Sequence, residues 1–144
     1  MDARLIPPRA PELAAALAGA GLPTEDLEGG GRSFFAFEDN GRPIGFGGFE
    51  LYGEDALLRS IVVLHEARGK GYGRAVTEAV LARAHQAGAR TAYLLTTTAQ
   101  AFFERDGFKR IERAAAPASI LATTQATTIC ATAALLARPI MQHG

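Results

Sequence analysis

The apolar run Ile61-Val62-Val63-Leu64 delivers the chain to a loop with glycines at 69, 71 and 73, and a helical pattern opens inside that loop. This junction limits the fold more than any other stretch. The run closes a strand over residues 56–64, and consecutive apolar residues bury both faces of it. Tyr72, Val76, Ala79, Val80, Ala84 and Ala87 then recur on one stripe, with Arg74, Glu78 and Arg83 off it. That spacing predicts a helix from about 71 to 87, stopped by Gly88. Residues 91–96 read as the next strand. Strand, helix and strand in succession make a crossover unit, so the two strands are parallel neighbours.

The remaining segments surround this unit. A short strand over 3–6 ends at Pro7-Pro8, and a helix starts at Pro11 with Leu13, Leu17 and Ala20 on one face. Residues 33–38 and 44–52 are strands joined by Asp39-Asn40-Gly41, a hairpin turn whose residues tolerate positive φ. Gly45, Gly47 and Gly48 inside the second strand mark a bulge or a close backbone approach. Thr98 is a candidate cap for a short helix over 99–106, followed by a strand over 108–113, a short helix over 117–124 and a last strand over 133–137. The expected fold class is α/β. It is a mixed, mostly antiparallel sheet flanked by helices, with one parallel strand pair, in a single domain over 1–144.

Composition narrows the function classes. Lys+Arg and Asp+Glu balance at 15 each, so no global field points to nucleic acid or an anionic membrane. No stretch reaches 18 apolar residues and no secretory leader is recognised, so neither membrane span nor export is expected. The lone cysteine, Cys130, excludes a disulfide within the chain and fits a reducing, cytoplasmic setting; among Thr and Ala it reads as a small buried filler. The histidines, at 65, 85 and 143, have no metal-ligand spacing, and no metal is expected.

The glycine loop suits an anion. Unpaired N–H groups at a helix N-terminus converge on one spot and the helix dipole favours negative charge there. Arg68, Lys70 and Arg74 add positive charge. The Walker-type loop requires a Lys-Ser/Thr pair that is absent here. The dinucleotide fingerprint requires a different third glycine spacing, directly after the first strand. The pattern that does match is Arg/Gln-x-x-Gly-x-Gly/Ala, as Arg68-x-x-Gly71-x-Gly73.

With VVLHEARGKGYG (62–73) and AFFERDGF (101–108), the chain resembles the GNAT superfamily of N-acetyltransferases. LLRSIVV (57–63), YLLTTTAQAFFERDGF (93–108) and APASILATTQATTIC (116–130) are similar to the N-acetyltransferases associated with arsenic-resistance operons. The resemblance implies a GNAT-like fold in which the parallel strands splay apart and acetyl-CoA enters the gap as cosubstrate. It implies that Val62 and Val63 pair their backbone with pantetheine, and that Arg68, Gly69, Lys70, Gly71, Tyr72, Gly73 and Arg74 hold the pyrophosphate. The amine of a small molecule then attacks the thioester directly, in a ternary complex, in a detoxification or resistance role. A homodimer paired through the apolar C-terminal strand is a further family expectation.

One departure bears on catalysis. Phe103 stands where the family usually has a tyrosine acid, so its ring can pack on the cofactor but donates no proton. Ser60, Tyr93, Thr96, Thr97 and Thr98 are the alternative hydroxyls. Glu50 is the leading candidate base, ending a strand expected to face the cleft mouth, ahead of Glu54 and His65. Phe103 also motivates a second reading, a catalytically weak acyl-CoA-binding regulatory module. One thiol, at Cys130, is a poor site for trivalent arsenic.

Overall fold

The computed structural model describes residues 1–129 and 131–140, and of Ile129 the backbone alone. Among the described residues seven strands form one sheet: β1 (Asp2–Ile6), β2 (Arg32–Asp39), β3 (Arg42–Tyr52), β4 (Asp55–Val63), β5 (Thr91–Thr96), β6 (Lys109–Arg110) and β7 (Ala134–Pro139), in the spatial order β1-β2-β3-β4-β5-β7-β6. The helices are α1 (Pro11–Gly19), α2 (Tyr72–Gln86), α3 (Gln100–Arg105) and α4 (Ala118–Leu121). Every strand pair is antiparallel except β4–β5. Asn40 (φ 52°) and Gly41 (φ 76°) make the tight β2–β3 hairpin, as the turn chemistry requires.

Side-chain alternation sends each strand to two cores. From β2, Phe35 and Phe37 join Val76, Val80 and Ala84 of α2, while Phe34 and Ala36 join Leu13 and Leu17 of α1. A third cluster sets Ile120 of α4 on Leu57, Tyr93 and Leu135. The buried stripe of α2 is rotated from the expected one. It includes Thr77 and Leu81, and Ala87 is exposed. Thr77 is buried without penalty because its hydroxyl donates to the Gly73 carbonyl at 2.8 Å.

Three local expectations change. The strand after α3 is two residues long. Thr98 caps nothing; the Ala99 N–H instead donates to Thr96 Oγ1 at 2.9 Å. And β7 is no free edge for a second subunit, because β5 pairs along its whole length and β6 takes Leu136 and Ala137.

The parallel pair positions the site. β4 and β5 are in register only at Asp55↔Thr91, Ala56↔Ala92 and Leu57↔Tyr93. Beyond that point each strand keeps its other neighbour and the two diverge. A bulge in β4 provides the bend. Phe46 pairs with Val62 but Gly48 pairs with Arg59, so Gly47 faces both Ser60 and Ile61. Ser60 sits at φ 58°, a left-handed value uncommon outside glycine. The glycines opposite are required by space: a Cβ at Gly45 would lie 2.2 Å from the Val62 carbonyl oxygen, and one at Gly47 2.7 Å from Val80.

Candidate active site

The divergence of β4 and β5 opens a cavity of about 810 Å³. Its walls are the 58–63 stretch of β4, Leu94–Thr96 of β5, the loop at 68–74, and Phe102, Phe103 and Arg105 of α3. Ala20 and Leu22 line it as well. Leu22 packs with the α1 cluster and Phe103 with the α2 cluster, so the cavity passes through the sheet from one face to the other.

The loop opens α2 with two left-handed glycines. Gly69 and Gly71 both adopt φ 80°, and Gly71 is the residue preceding α2. Such left-handed residues at a helix start turn successive N–H groups toward a shared concavity, and those of the first turn have no intrahelical acceptor. A Cβ at Gly69 or Gly71 would project into open space, while one at Gly73 would press the Phe102 ring at 3.2 Å. Room for an anion and unpaired donors therefore coincide. Gly69, Gly71, Tyr72, Gly73, Arg68 and Arg74 line the cavity; Lys70 is exposed and does not. Arg68 Nε donates to the Val63 carbonyl at 3.1 Å. Arg74 Nε lies 3.2 Å from Asp106 Oδ1. The Tyr72 hydroxyl donates to Asp39 Oδ2 at 2.5 Å, and that bond raises its pKa.

The free edge of β4 forms the long wall. The Leu64 N–H donates to the Ile44 carbonyl of β3, so the Val63 carbonyl, on the opposite side of the same peptide, faces the gap. Arg68 Nε holds that carbonyl, but beyond Leu57 this edge has no strand partner among the described residues, and such an edge can accept an extended ligand as an added strand. Phe103 is buried against Phe102 and Phe108, at centroid distances of 5.0 and 5.8 Å.

The catalytic candidates separate. Ser60, Thr96 and Thr98 line the cavity. Tyr93 does not: it lies in the cluster under α4, and burial raises its pKa. Thr97, Glu54 and His65 are not part of the lining. Glu50 is not at an open cleft mouth, as the sequence suggested. It is fully buried and held by Arg59 Nη1 at 2.8 Å, by the Tyr52 hydroxyl, and by Arg32 Nε at 3.6 Å. The lining, among the described residues, contains no carboxylate; its charged members are Arg59, Arg68, Arg74 and Arg105. Cys130 lies outside the described residues. No group of three or more His, Cys, Asp or Glu suited to a metal occurs among the described residues. No helix among them is long and apolar enough to cross a membrane.

Sequence reading missed Arg59 and Asp26. Arg59 is buried, yet every donor group is used. Nη1 and Nη2 form a fork with Asp26 at 2.8 and 2.7 Å, Nη1 also meets the Asp26 carbonyl and Glu50, and Nε donates to Ser60 Oγ at 3.2 Å. Its carbon Cζ lies 5.5 Å from the Phe34 ring centroid. Burial alone would lower its pKa; the bonds and charges of Asp26 and Glu50 outweigh that and raise it. The one signal in the sequence is a single charge inside the apolar run LLRSIVV.

Comparison with known proteins agrees with this geometry. The family model for the acetyltransferase (GNAT) domain matches residues 30–110, which hold β3, the bulge, the loop, α2 and α3. An uncharacterized N-acetyltransferase of Chlorobaculum tepidum is 36% identical over 90 residues, 62% of this chain and 57% of that protein. The match thus spans little more than half of that relative's length. Among solved structures, N-acetylglutamate synthase from Neisseria gonorrhoeae, complexed with coenzyme A and N-acetyl-glutamate, superposes with a TM-score of 0.76 at 17% identity, over 99% of this chain and 36% of that one. The ribosomal-protein-S18-alanine N-acetyltransferase of Escherichia coli gives a TM-score of 0.66 at 20% identity, over 99% and 97%. At these identities the likeness is one of fold, a mixed sheet with one splayed parallel pair. With the family model covering more than half of its length, the chain belongs to the GNAT acetyltransferase family.

Proposed function

We propose that this chain transfers the acetyl group of acetyl-CoA to the primary amine of a small molecule, by direct attack in a ternary complex. The observation that carries the reading is the gap between β4 and β5, with a glycine loop and the start of α2 at its α2 face. In this reading the amides of residues 69–74, with Arg68 and Arg74, take the pyrophosphate. Lys70 adds only a solvent-screened charge. The Val62–Val63 edge pairs with pantetheine, and a backbone N–H of the bulged strand polarises the thioester carbonyl. The acceptor enters from the α1 face, past Ala20 and Leu22.

Solvent takes and supplies the protons, and one hydroxyl hydrogen-bonds the leaving group. Ser60 Oγ accepts from Arg59, so its own proton is free to point into the cavity, toward the departing thiolate. A thiolate with a pKa near 8.5 needs little help to leave, which makes the missing phenol at Phe103 tolerable. With no lining carboxylate, the amine loses its proton to water, and kcat/KM rises with pH up to the acceptor's own pKa. Glu50 serves as counter-ion to Arg59. A detoxification or resistance role for the product rests on the resemblance to the arsenic-operon enzymes.

The reading is tested by following release of free CoA across a panel of monoamines, amino acids and polyamines. Acetyl-CoA-dependent release with one acceptor class supports it. Binding of acetyl-CoA with no release for any acceptor would favour the weak acyl-CoA-binding module that Phe103 motivates.

A further inference from the structure

On a regular strand, adjacent side chains point to opposite faces. Arg59 and Ser60 are adjacent, yet their side chains are hydrogen-bonded to one another. The β4 bulge and the positive φ of Ser60 make that contact possible. The same guanidinium is forked onto Asp26, 33 residues away in the segment between α1 and β2. That segment begins with Ala20 and Leu22, the two residues that wall the cavity on the α1 face. Leu27, beside Asp26, is buried in the α1 cluster. Glu50 and Tyr52 of β3 close the network behind.

We propose that Asp26 and Arg59 are positioning residues that lock the wall of the acceptor end to the bulged residue of the reaction centre. One planar cation sets two distances at once: from the wall to β4, and from Ser60 Oγ to the cavity. This inference rests on the function proposed above in assigning the α1 face to the acceptor. Neither side chain touches a reacting atom. Arginine suits the task because its fork fixes direction as well as charge, which a lysine ammonium does not.

The test uses Asp26→Asn, which is isosteric, with Asp26→Glu as the conservative variant, in two measurements. In hydrogen–deuterium exchange on the protein without substrates, Asp26→Asn is expected to speed exchange at residues 20–31 and also at 58–62, across the network. Unchanged exchange at 58–62 would overturn the lock, whatever the enzyme turns over. In steady-state kinetics, Asp26→Asn is expected to lower kcat/KM for the acceptor by about 10- to 100-fold, as a misplacement near 1 Å does, with KM for acetyl-CoA moving less than about 3-fold. Asp26→Glu is expected to restore part of the loss. In the Ser60→Ala background, Asp26→Asn is expected to lower kcat less than in the wild type, since the two act through one group. Equal loss for both substrates, or full multiplication with Ser60→Ala, would show a merely structural ion pair. Should Asp26→Asn not fold, Arg59→Lys is read by the same two measurements, with the same expectations and the same contrary results. If the wild type releases no CoA, the proposed function fails while the exchange result still decides the lock.

Discussion

The two faces of the cavity are built by different means. On the α2 face, a contiguous stretch of chain makes the proposed anion site from backbone: two glycines at φ 80°, a helix start, and a strand edge. On the α1 face, side chains from distant segments make a charged network: Asp26, Glu50 and Arg59, with Arg32 alongside. The first kind of site tolerates surface change but not a change of backbone. The second depends on every partner, since a buried ion with a partner removed is costly.

The contrast breaks most visibly at Arg59. Arg59→Ala leaves Asp26 and Glu50 buried without their cation, and chemical denaturation is expected to show a loss of about 3–5 kcal/mol. A loss below about 1 kcal/mol would mean that water replaces the guanidinium and that no network of consequence exists. Gly71→Val probes the other face. Its left-handed φ is strained for a branched residue and the added carbons enter the concavity, so acetyl-CoA Kd is expected to rise about 100-fold by calorimetry. The same change is expected to lower stability by only about 1–2 kcal/mol, since nothing in the protein lies within 4 Å of that Cβ. An affinity held within 3-fold would detach the loop from cofactor binding.

That order of effects reverses what could be read from the chain alone. The strand–loop–helix unit was legible because each part lies within residues 56–87, and local spacing carries both its pattern and its chemistry. Gly45, Gly47 and Gly48 announced a bulge or a close approach in their own strand; Gly45 and Gly47 serve a close approach, and the bulge with its positive φ at Ser60 lies in the strand opposite. The network was not legible. Asp26 is separated from Arg59 by 33 residues, and no local spacing links the two. Glu50 was placed on the correct strand and given the wrong surroundings, because sequence pattern shows where a carboxylate lies along a strand but not which cation folds over it. Tyr93 likewise sits on a strand bordering the cavity and faces the opposite side.

Two smaller effects sharpen the account. Tyr52 is pushed up to about 12, by burial first and then by its bond to the Glu50 carboxylate. Its folded pKa exceeds its unfolded value, so its contribution is complete below pH 10 and lost as pH rises through about 12. Tyr52→Phe is expected to cost about 1 kcal/mol at pH 7, and the difference from wild type to shrink above pH 10. Asp106 touches the cofactor face through Arg74, and burial raises its pKa against the opposing pull of Arg138 and Arg74. The fold thus disfavours its charged form, a penalty that grows as pH rises above the ordinary carboxylate range. Asp106→Asn is expected to stabilise the protein at pH 7 and to do so less at pH 4, as read by thermal denaturation at the two pH values. It also releases Arg74, so acetyl-CoA affinity should hold or improve slightly. A drop in affinity would show that Asp106 is needed to aim Arg74.

The central claim is that the gap between β4 and β5 is the acetyl-CoA site, with the pyrophosphate on the loop. A crystal structure with acetyl-CoA bound tests it most directly. The expected result is pyrophosphate oxygens within hydrogen-bond distance of the amides of residues 69–74, pantetheine paired along Val62 and Val63, and the thioester beside Ser60. Pyrophosphate bound elsewhere, with the 69–74 amides facing solvent, would contradict the account.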